Sequence, residues 1–182
     1  MKLMFASDLH GSLSAAQAMR ARYEAEHADR LILLGDLLYH GPRNDLPEAY
    51  DPKGVIALLN EMKDELFAVR GNCDAEVDQM VLQFPILASY ALLSIENRIA
   101  FLTHGHVHHV QSLPPHKPGD LLIQGHTHIP VAHKQGDVIV LNPGSVAIPK
   151  EGNPKTYMTY EAGTFTICRM DGSPFLIYSL DA

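Results

Sequence analysis

Apolar runs and helix-spaced apolar positions alternate through the first half of the chain. Lys2 to Ala6 reads as a strand, and Leu31 to Leu34 as a second, a continuous apolar run of the kind buried on both faces. Between them Leu13, Ala16, Met19 and Tyr23 recur at helical spacing, with Ser14 and Gln17 placed as a capping box. Asp51 and Pro52 start a second helix carrying Val55, Leu58, Leu59 and Met62, after the loop Gly41 to Asp51. Leu66 to Val69 reads as a third strand, and Asp74 stands where it would cap a short helix bearing Val77, Met80 and Val81. This β-α-β-α-β order implies parallel strands joined by right-handed crossovers.

The second half is strand-rich. Ala88 to Ile95 and Arg98 to Thr103 flank a tight turn at Glu96-Asn97, and Leu121 to Gln124 is a further strand. Val131 to Leu141 reads as a hairpin turning near Gln135-Gly136. Thr156 to Glu161, Thr164 to Met170 and Phe175 to Leu180 complete the set, with Asp171-Gly172 as a turn. Pro114 to Gly119 is a loop, because apolar strands resume at once. The expectation is one α/β domain over residues 1–182, built of two packed mixed sheets with helices outside.

Composition narrows the class. With 182 residues, 46% of them hydrophobic and 19% charged, the chain suffices for a single core and is too apolar to be disordered. No apolar run approaches the roughly 20 residues of a membrane span, and the apolar start before Asp8 is too short for a signal peptide. The net charge of −7 argues against a nucleic-acid partner, and two cysteines make no disulfide framework. A cytoplasmic protein is expected. Histidine is the outlier: there are 11, and eight fall between His104 and His133. Neutral imidazole is the commonest metal ligand, so this clustering points to a metal.

Five polar clusters each follow an apolar run: Asp8-Leu9-His10, Gly35-Asp36, Gly71-Asn72-Cys73-Asp74, His104-Gly105-His106 and Gly125-His126-Thr127-His128. Ligands of α/β sheets gather beyond the carboxyl ends of the strands, so all five can meet at one place. With Asp74 left to the helix cap, they offer two Asp, one Asn and up to five His. Oxygen and imidazole donors without thiolate suit Mn²⁺, Fe, Co or Zn²⁺. Eight donors are too many for one ion and about right for two. Two cations roughly 3.5–4 Å apart, sharing a carboxylate, form a clamp suited to phosphoryl transfer.

In this order the clusters resemble those of the calcineurin-like metallophosphoesterases over Asp8 to His128. The flanking words Ser7-Asp8-Leu9-His10-Gly11-Ser12, His40-Gly41-Pro42-Arg43-Asn44 and Val69-Arg70-Gly71-Asn72-Cys73-Asp74 are similar to those of the small bacterial YfcE-type phosphodiesterases, as is Asn142-Pro143-Gly144-Ser145. The resemblance implies a four-layer αββα sandwich, a dinuclear site and hydrolysis of a small phosphodiester by a metal-bridging hydroxide. It implies Asp8, His10 and His128 around the first metal, Asn72, His104 and His126 around the second, and Asp36 bridging. Mn²⁺ is the expected metal, with Zn²⁺, Fe, Co²⁺ or Ni²⁺ as alternatives, and a homodimer or tetramer is the expected assembly. Asp36, Asn72, His106 and Cys73 are assigned to the chemistry, His106 as a residue beside the metals. Cys73 stands where larger relatives carry a histidine, which leaves the proton donor open. Arg43 suits a phosphate oxygen through its fork of donors, and His40 shares its loop; both are expected at the substrate, with a solvated loop pair as the alternative. His108 and His109 read as loop, His27, His116 and His133 as surface, Cys168 as core, and Tyr157 and Tyr160 as core or subunit packing. Two rivals are a non-catalytic scaffold of the same fold and a nuclease; the complete ligand set opposes the first and the negative charge the second.

Overall fold

In the computed structural model, which describes residues 1–180, the early apolar runs become strands covered on both faces. β1 (Leu3–Ala6) turns Met4 and Ala6 towards helices and Leu3 and Phe5 towards a second sheet. α1 (Leu13–Glu26) and α2 (Pro52–Glu61) supply the helical side through Ala15, Ala16, Met19, Val55, Leu58 and Leu59. β2 (Arg30–Leu33) and β3 (Leu66–Ala68) extend the sheet from β1 as parallel neighbours, as crossover connections require. β9 (Thr156–Glu161), β10 (Thr164–Arg169) and β11 (Pro174–Ser179) add to the other side of β1 by antiparallel pairing. The six-stranded order is β11-β10-β9-β1-β2-β3.

The second sheet has five strands in the order β4-β5-β6-β8-β7. β4 (Ala91–Ile95) and β5 (Arg98–Leu102) form one hairpin, and β7 (Pro130–Gln135) and β8 (Val138–Pro143) another. Between them β6 (Leu121–Ile123) lies parallel to both β5 and β8. Its inner face, with Ala100, Leu102, Leu121, Ile123 and Leu141, meets Leu3, Phe5, Ile32 and Phe165 of the first sheet in one dry layer. On its outer face Leu122, Val138 and Val140 are covered by Val110 and Leu113 from the loop between β5 and β6. The expected pair of mixed sheets flanked by helices is therefore present, with the helices gathered on the six-stranded sheet. Tyr157 and Cys168 lie in the core beneath the helices and Tyr160 lies between the sheets. Among the described residues no helix is long and apolar enough to cross a membrane.

Two local expectations are corrected. The cap of α1 is Ser12, not Ser14: its backbone is extended, and its hydroxyl accepts from the Ala15 N–H (3.3 Å) and donates to the Glu48 carbonyl (2.7 Å). Asp74 does not cap α3 (Glu76–Gln79), where the Asp78 carboxylate accepts from the Ala75 N–H (2.8 Å) instead. That single turn is too short to bury a stripe. Val77 and Met80 stand 64% and 84% exposed, while Leu82, Phe84 and Ile86 just beyond take the core positions.

This division has a measurable consequence. Ile123→Ala opens a void between the sheets and is expected to cost about 2–5 kcal/mol in urea unfolding. Met80→Ala is expected to stay within about 0.5 kcal/mol of the native protein. Comparable losses would contradict the placement of the core.

Candidate metal centre

Parallel strands of both sheets end at one edge of the sandwich, and the polar clusters begin there. Asp8 and His10 follow β1, Asp36 follows β2, Asn72 and Cys73 follow β3, His104 follows β5, and His126 and His128 follow β6. The chain must turn sharply at each end while still aiming a side chain inward. Five of these residues do so in left-handed backbone: Asp8 (φ 60°), His10 (49°), Asp36 (56°), His126 (67°) and His128 (60°). Each such residue costs roughly 1–2 kcal/mol relative to ordinary backbone. Gly71 is glycine for space, since a Cβ there would overlap the Asp36 carboxylate.

Hydrogen bonds divide the donor atoms into tied and free. His10 donates through Nδ1 to the Tyr39 carbonyl (2.8 Å), His128 to that of Ile148 (2.7 Å) and His104 to that of Leu34 (2.6 Å). In the neutral rings this leaves each Nε2 as a bare lone pair. Asp8 Oδ2 accepts from the His126 N–H (3.1 Å), and Asp36 Oδ1 from the Cys73 N–H (2.8 Å). The remaining carboxylate oxygens face the imidazoles. Asp8 Oδ1 lies 3.3 Å from His128 Nε2 and 3.7 Å from His10 Nε2, which are themselves 3.3 Å apart. Asp36 Oδ2 lies 3.6 Å from His10 Nε2 and 3.4 Å from His104 Nε2. His104 Nε2 also meets Asn72 Oδ1 (3.0 Å) and His126 Nδ1 (3.2 Å). The Asn72 amide donates to Cys73 Sγ (3.2 Å), which turns its oxygen towards His104.

A buried point surrounded by acceptors demands positive charge. Asp8 Oδ1 is fully buried and has no hydrogen-bond partner among the described residues. Burial pushes the Asp8 carboxyl up, but the imidazoles of His10 and His128 more than offset this and hold it well below the usual range. Burial likewise opposes charge on His104, yet the Asp36 carboxylate beside it raises its pKa to about 9. Burial and then the His104 charge push His126 down to about 4. These shifts describe a metal-free pocket in which protons occupy the space between carboxylates. The donor set suits divalent cations: Asp8, His10 and His128 offer atoms within 4.8 Å of one another, as do Asp8, Asp36 and His104. Cys73 Sγ joins His10 and Asp36 within the same limit, a thiol the sequence pattern had left outside the donor set. Burial and then Asp36 push that thiol up to about 12.

The calcineurin-like phosphoesterase superfamily domain matches residues 1–164. The chain belongs to that superfamily. It is 52% identical over 157 residues to the phosphodiesterase YfcE of Escherichia coli strain K12, covering 86% of this chain and 85% of the relative. It is 26% identical over 176 residues to the probable metallophosphoesterase YsnB of Bacillus subtilis strain 168, covering 92% and 89%. Its structure matches that of YfcE, a phosphoesterase from E. coli, with a TM-score of 0.96 at 46% identity, over 99% of this chain and 100% of that one. Vps29 from Entamoeba histolytica in its zinc complex shares the fold at a TM-score of 0.62 and 20% identity, over 99% of each chain.

In this metallophosphoesterase a cavity of about 330 Å³ opens over the donor atoms, lined by Asp36, Asn72, Cys73, His126 and His128. Arg43 lines it too. His40 is not among its lining residues: its ring packs edge-on against Tyr39 and Tyr50, and Tyr39 and Gly41 of the same loop line the cavity. His106 is exposed, its ring centroid 5.4 Å from that of His104 and 6.1 Å from that of His126. His108 packs on Tyr90 and Phe101, away from the donors. Sequence reasoning missed two residues. Lys150 lines the cavity opposite no motif that would have announced it. Asp74 is buried and accepts from the N–H groups of Asp36 (2.9 Å), Leu37 (2.8 Å) and Gly71 (2.7 Å), so it fixes two ligand-bearing loops. Its place beside Asn72-Cys73 was the available signal.

The Asp36–His104 pairing has a pH signature. In chelated protein the His104 imidazolium contributes stability that is complete below about pH 6.5, its ordinary value, and is lost as pH rises through about 9. The thermal midpoint of stripped protein is therefore expected to fall across that window. A flat or rising midpoint would contradict the pairing.

Proposed function

We propose that this protein is a metal-dependent phosphodiesterase that hydrolyses a small phosphodiester at a dinuclear site. The observation that carries the reading is the cluster of carboxylate oxygens and imidazole nitrogens facing one another, with buried Asp8 Oδ1 making no hydrogen bond and lying 3.3 Å from His128 Nε2. Asp8, His10 and His128 would hold one cation and Asn72, His104 and His126 the other, and Asp36, whose Oδ2 lies 3.6 Å from His10 Nε2 and 3.4 Å from His104 Nε2, would serve both. The mixture of carboxylate, amide and imidazole donors suits Mn²⁺, Fe, Co²⁺ or Zn²⁺, and Mn²⁺ is the metal we propose among them. When bound, such a pair supplies a water acidified to near-neutral pKa as nucleophile and positive charge for the phosphoryl oxygens.

The chain's own residues do the rest. The three histidines with an Nδ1–H to carbonyl bond are locked in the tautomer that presents Nε2 inward. Asn72 adds a neutral oxygen, which keeps the site's negative charge at two carboxylates. Arg43 and Lys150 bring two cations to the rim of the cavity, where a phosphodiester's anionic oxygen would enter. The cavity's volume lies in the range of small-ligand sites. The relative YfcE, named a phosphodiesterase and 52% identical, supports the same chemistry.

The test is hydrolysis of bis(p-nitrophenyl) phosphate and of p-nitrophenyl phosphate by chelated protein reloaded with Mn²⁺, Zn²⁺, Co²⁺ or Ni²⁺. Recovery of diester hydrolysis, greatest with Mn²⁺ and exceeding monoester hydrolysis, is expected; activity indifferent to chelation would refute the reading. Asp36→Asn is expected to lower kcat at saturating metal by about 100-fold, since it weakens both metal shells. Arg43→Ala is expected to act mainly through KM. Equal kcat losses in the two variants would show that Asp36 does not serve both cations.

A further inference from the structure

β8 lies parallel to β6, so its end arrives at the same edge of the sandwich as the ligand-bearing loops. The residues there, Asn142-Pro143-Gly144-Ser145, carry no group that faces the cavity. Asn142 and Ser145 are nevertheless fully buried, and every polar atom of their side chains is engaged. Ser145 Oγ donates to the Asp8 carbonyl (2.9 Å) and accepts from the N–H groups of Ala147 (3.1 Å) and Ile148 (2.9 Å). The Ile148 carbonyl so placed is the one that takes the Nδ1 proton of His128. The Asn142 amide donates to the Gly125 carbonyl (2.8 Å) and to Thr127 Oγ1 (3.0 Å), the two residues that flank His126, and its oxygen accepts from the Gly144 N–H (2.8 Å).

We infer that the 142–148 segment is a positioning brace for the metal centre, with Ser145 setting Asp8 and His128 and Asn142 setting the turn that carries His126. This rests on the dinuclear reading above. The logic is strain and tautomer. Asp8, His126 and His128 all hold left-handed backbone, which the turn itself does not favour. The brace grips the chain at or beside each of them: the carbonyl of Asp8, both neighbours of His126, and the outward nitrogen of His128. Ser145 thus joins two ligands from separate strands, residues 8 and 128, through one hydroxyl and one carbonyl. Removing that hydroxyl releases the Asp8 carbonyl and loosens the acceptor that fixes the His128 ring. Outer partners of this kind govern metal affinity by about 10–100-fold.

Calorimetric titration of Mn²⁺ into stripped native protein, Ser145→Ala, Asn142→Ala and Val146→Ala tests the inference, with the thermal midpoint of each stripped protein recorded alongside. Val146 is a buried side chain in the same segment that makes no polar contact. Its truncation is expected to lower the midpoint and leave Mn²⁺ affinity within about twofold, whereas Ser145→Ala is expected to weaken binding tenfold or more. Ser145→Ala binding as tightly as native protein would overturn the brace, and so would an equal loss in Val146→Ala. Failure of native protein to take up Mn²⁺ would overturn the dinuclear reading and the brace with it. Should Ser145→Ala not fold, the native protein carries the test: ¹⁵N-resolved histidine spectra of the stripped form are expected to show His128 as the Nδ1–H tautomer, and the Nε2–H tautomer would overturn the inference.

Discussion

Two imidazole nitrogens aimed at each other across 3.3 Å, with a buried carboxylate oxygen 3.3 Å from one of them, form an arrangement that neutral side chains do not sustain. The outward nitrogens are already committed to carbonyls, so rotating the rings offers no escape. A positive charge must sit among these atoms. The tied carboxylate oxygens of Asp8 and Asp36 keep the free ones from swinging away. Most of the local structure around the site can be read as what it takes to hold acceptors this close.

That holding has a cost, visible in the left-handed backbone of Asp8, His10, Asp36, His126 and His128. Together these amount to several kcal/mol against the fold, at roughly 1–2 each. A loop alone could not carry it. Each strained residue instead stands within a few positions of a strand whose side chains are locked between helices and the second sheet, or between the two sheets. Asp74 then pins the turns after β2 and β3 by three backbone N–H groups, and the segment after β8 pins those after β1 and β6. The two sheets act as a vice, and the buried polar side chains at its edge are what it closes on.

Much of this was legible in the chain, for physical reasons. Strands covered on both faces must be apolar throughout, so β1 and β2 stand out as runs. Metal donors sit at strand ends, so five clusters announce the site. The misses are as physical. Val77 and Met80 mimic a buried stripe because spacing says nothing of what lies opposite, and the neighbouring extended segment took the core instead. Asp74 resembles a helix cap in one dimension; only folding brings it under Asp36 and Leu37, nearly forty residues away in sequence. Lys150 had no neighbouring motif at all. Carbonyls that orient the histidines carry no side-chain signature, so the partners of His10, His104 and His128 could not be read from residue types.

The chemistry at this edge depends on where the positive charge sits. Crystals of the protein soaked in Mn²⁺ and measured at a wavelength where manganese scatters anomalously would locate it directly. Two anomalous peaks per chain are predicted, one among Asp8, His10 and His128, the other among Asn72, His104 and His126, with Asp36 between them. A single peak, or peaks away from these residues, would contradict the dinuclear reading.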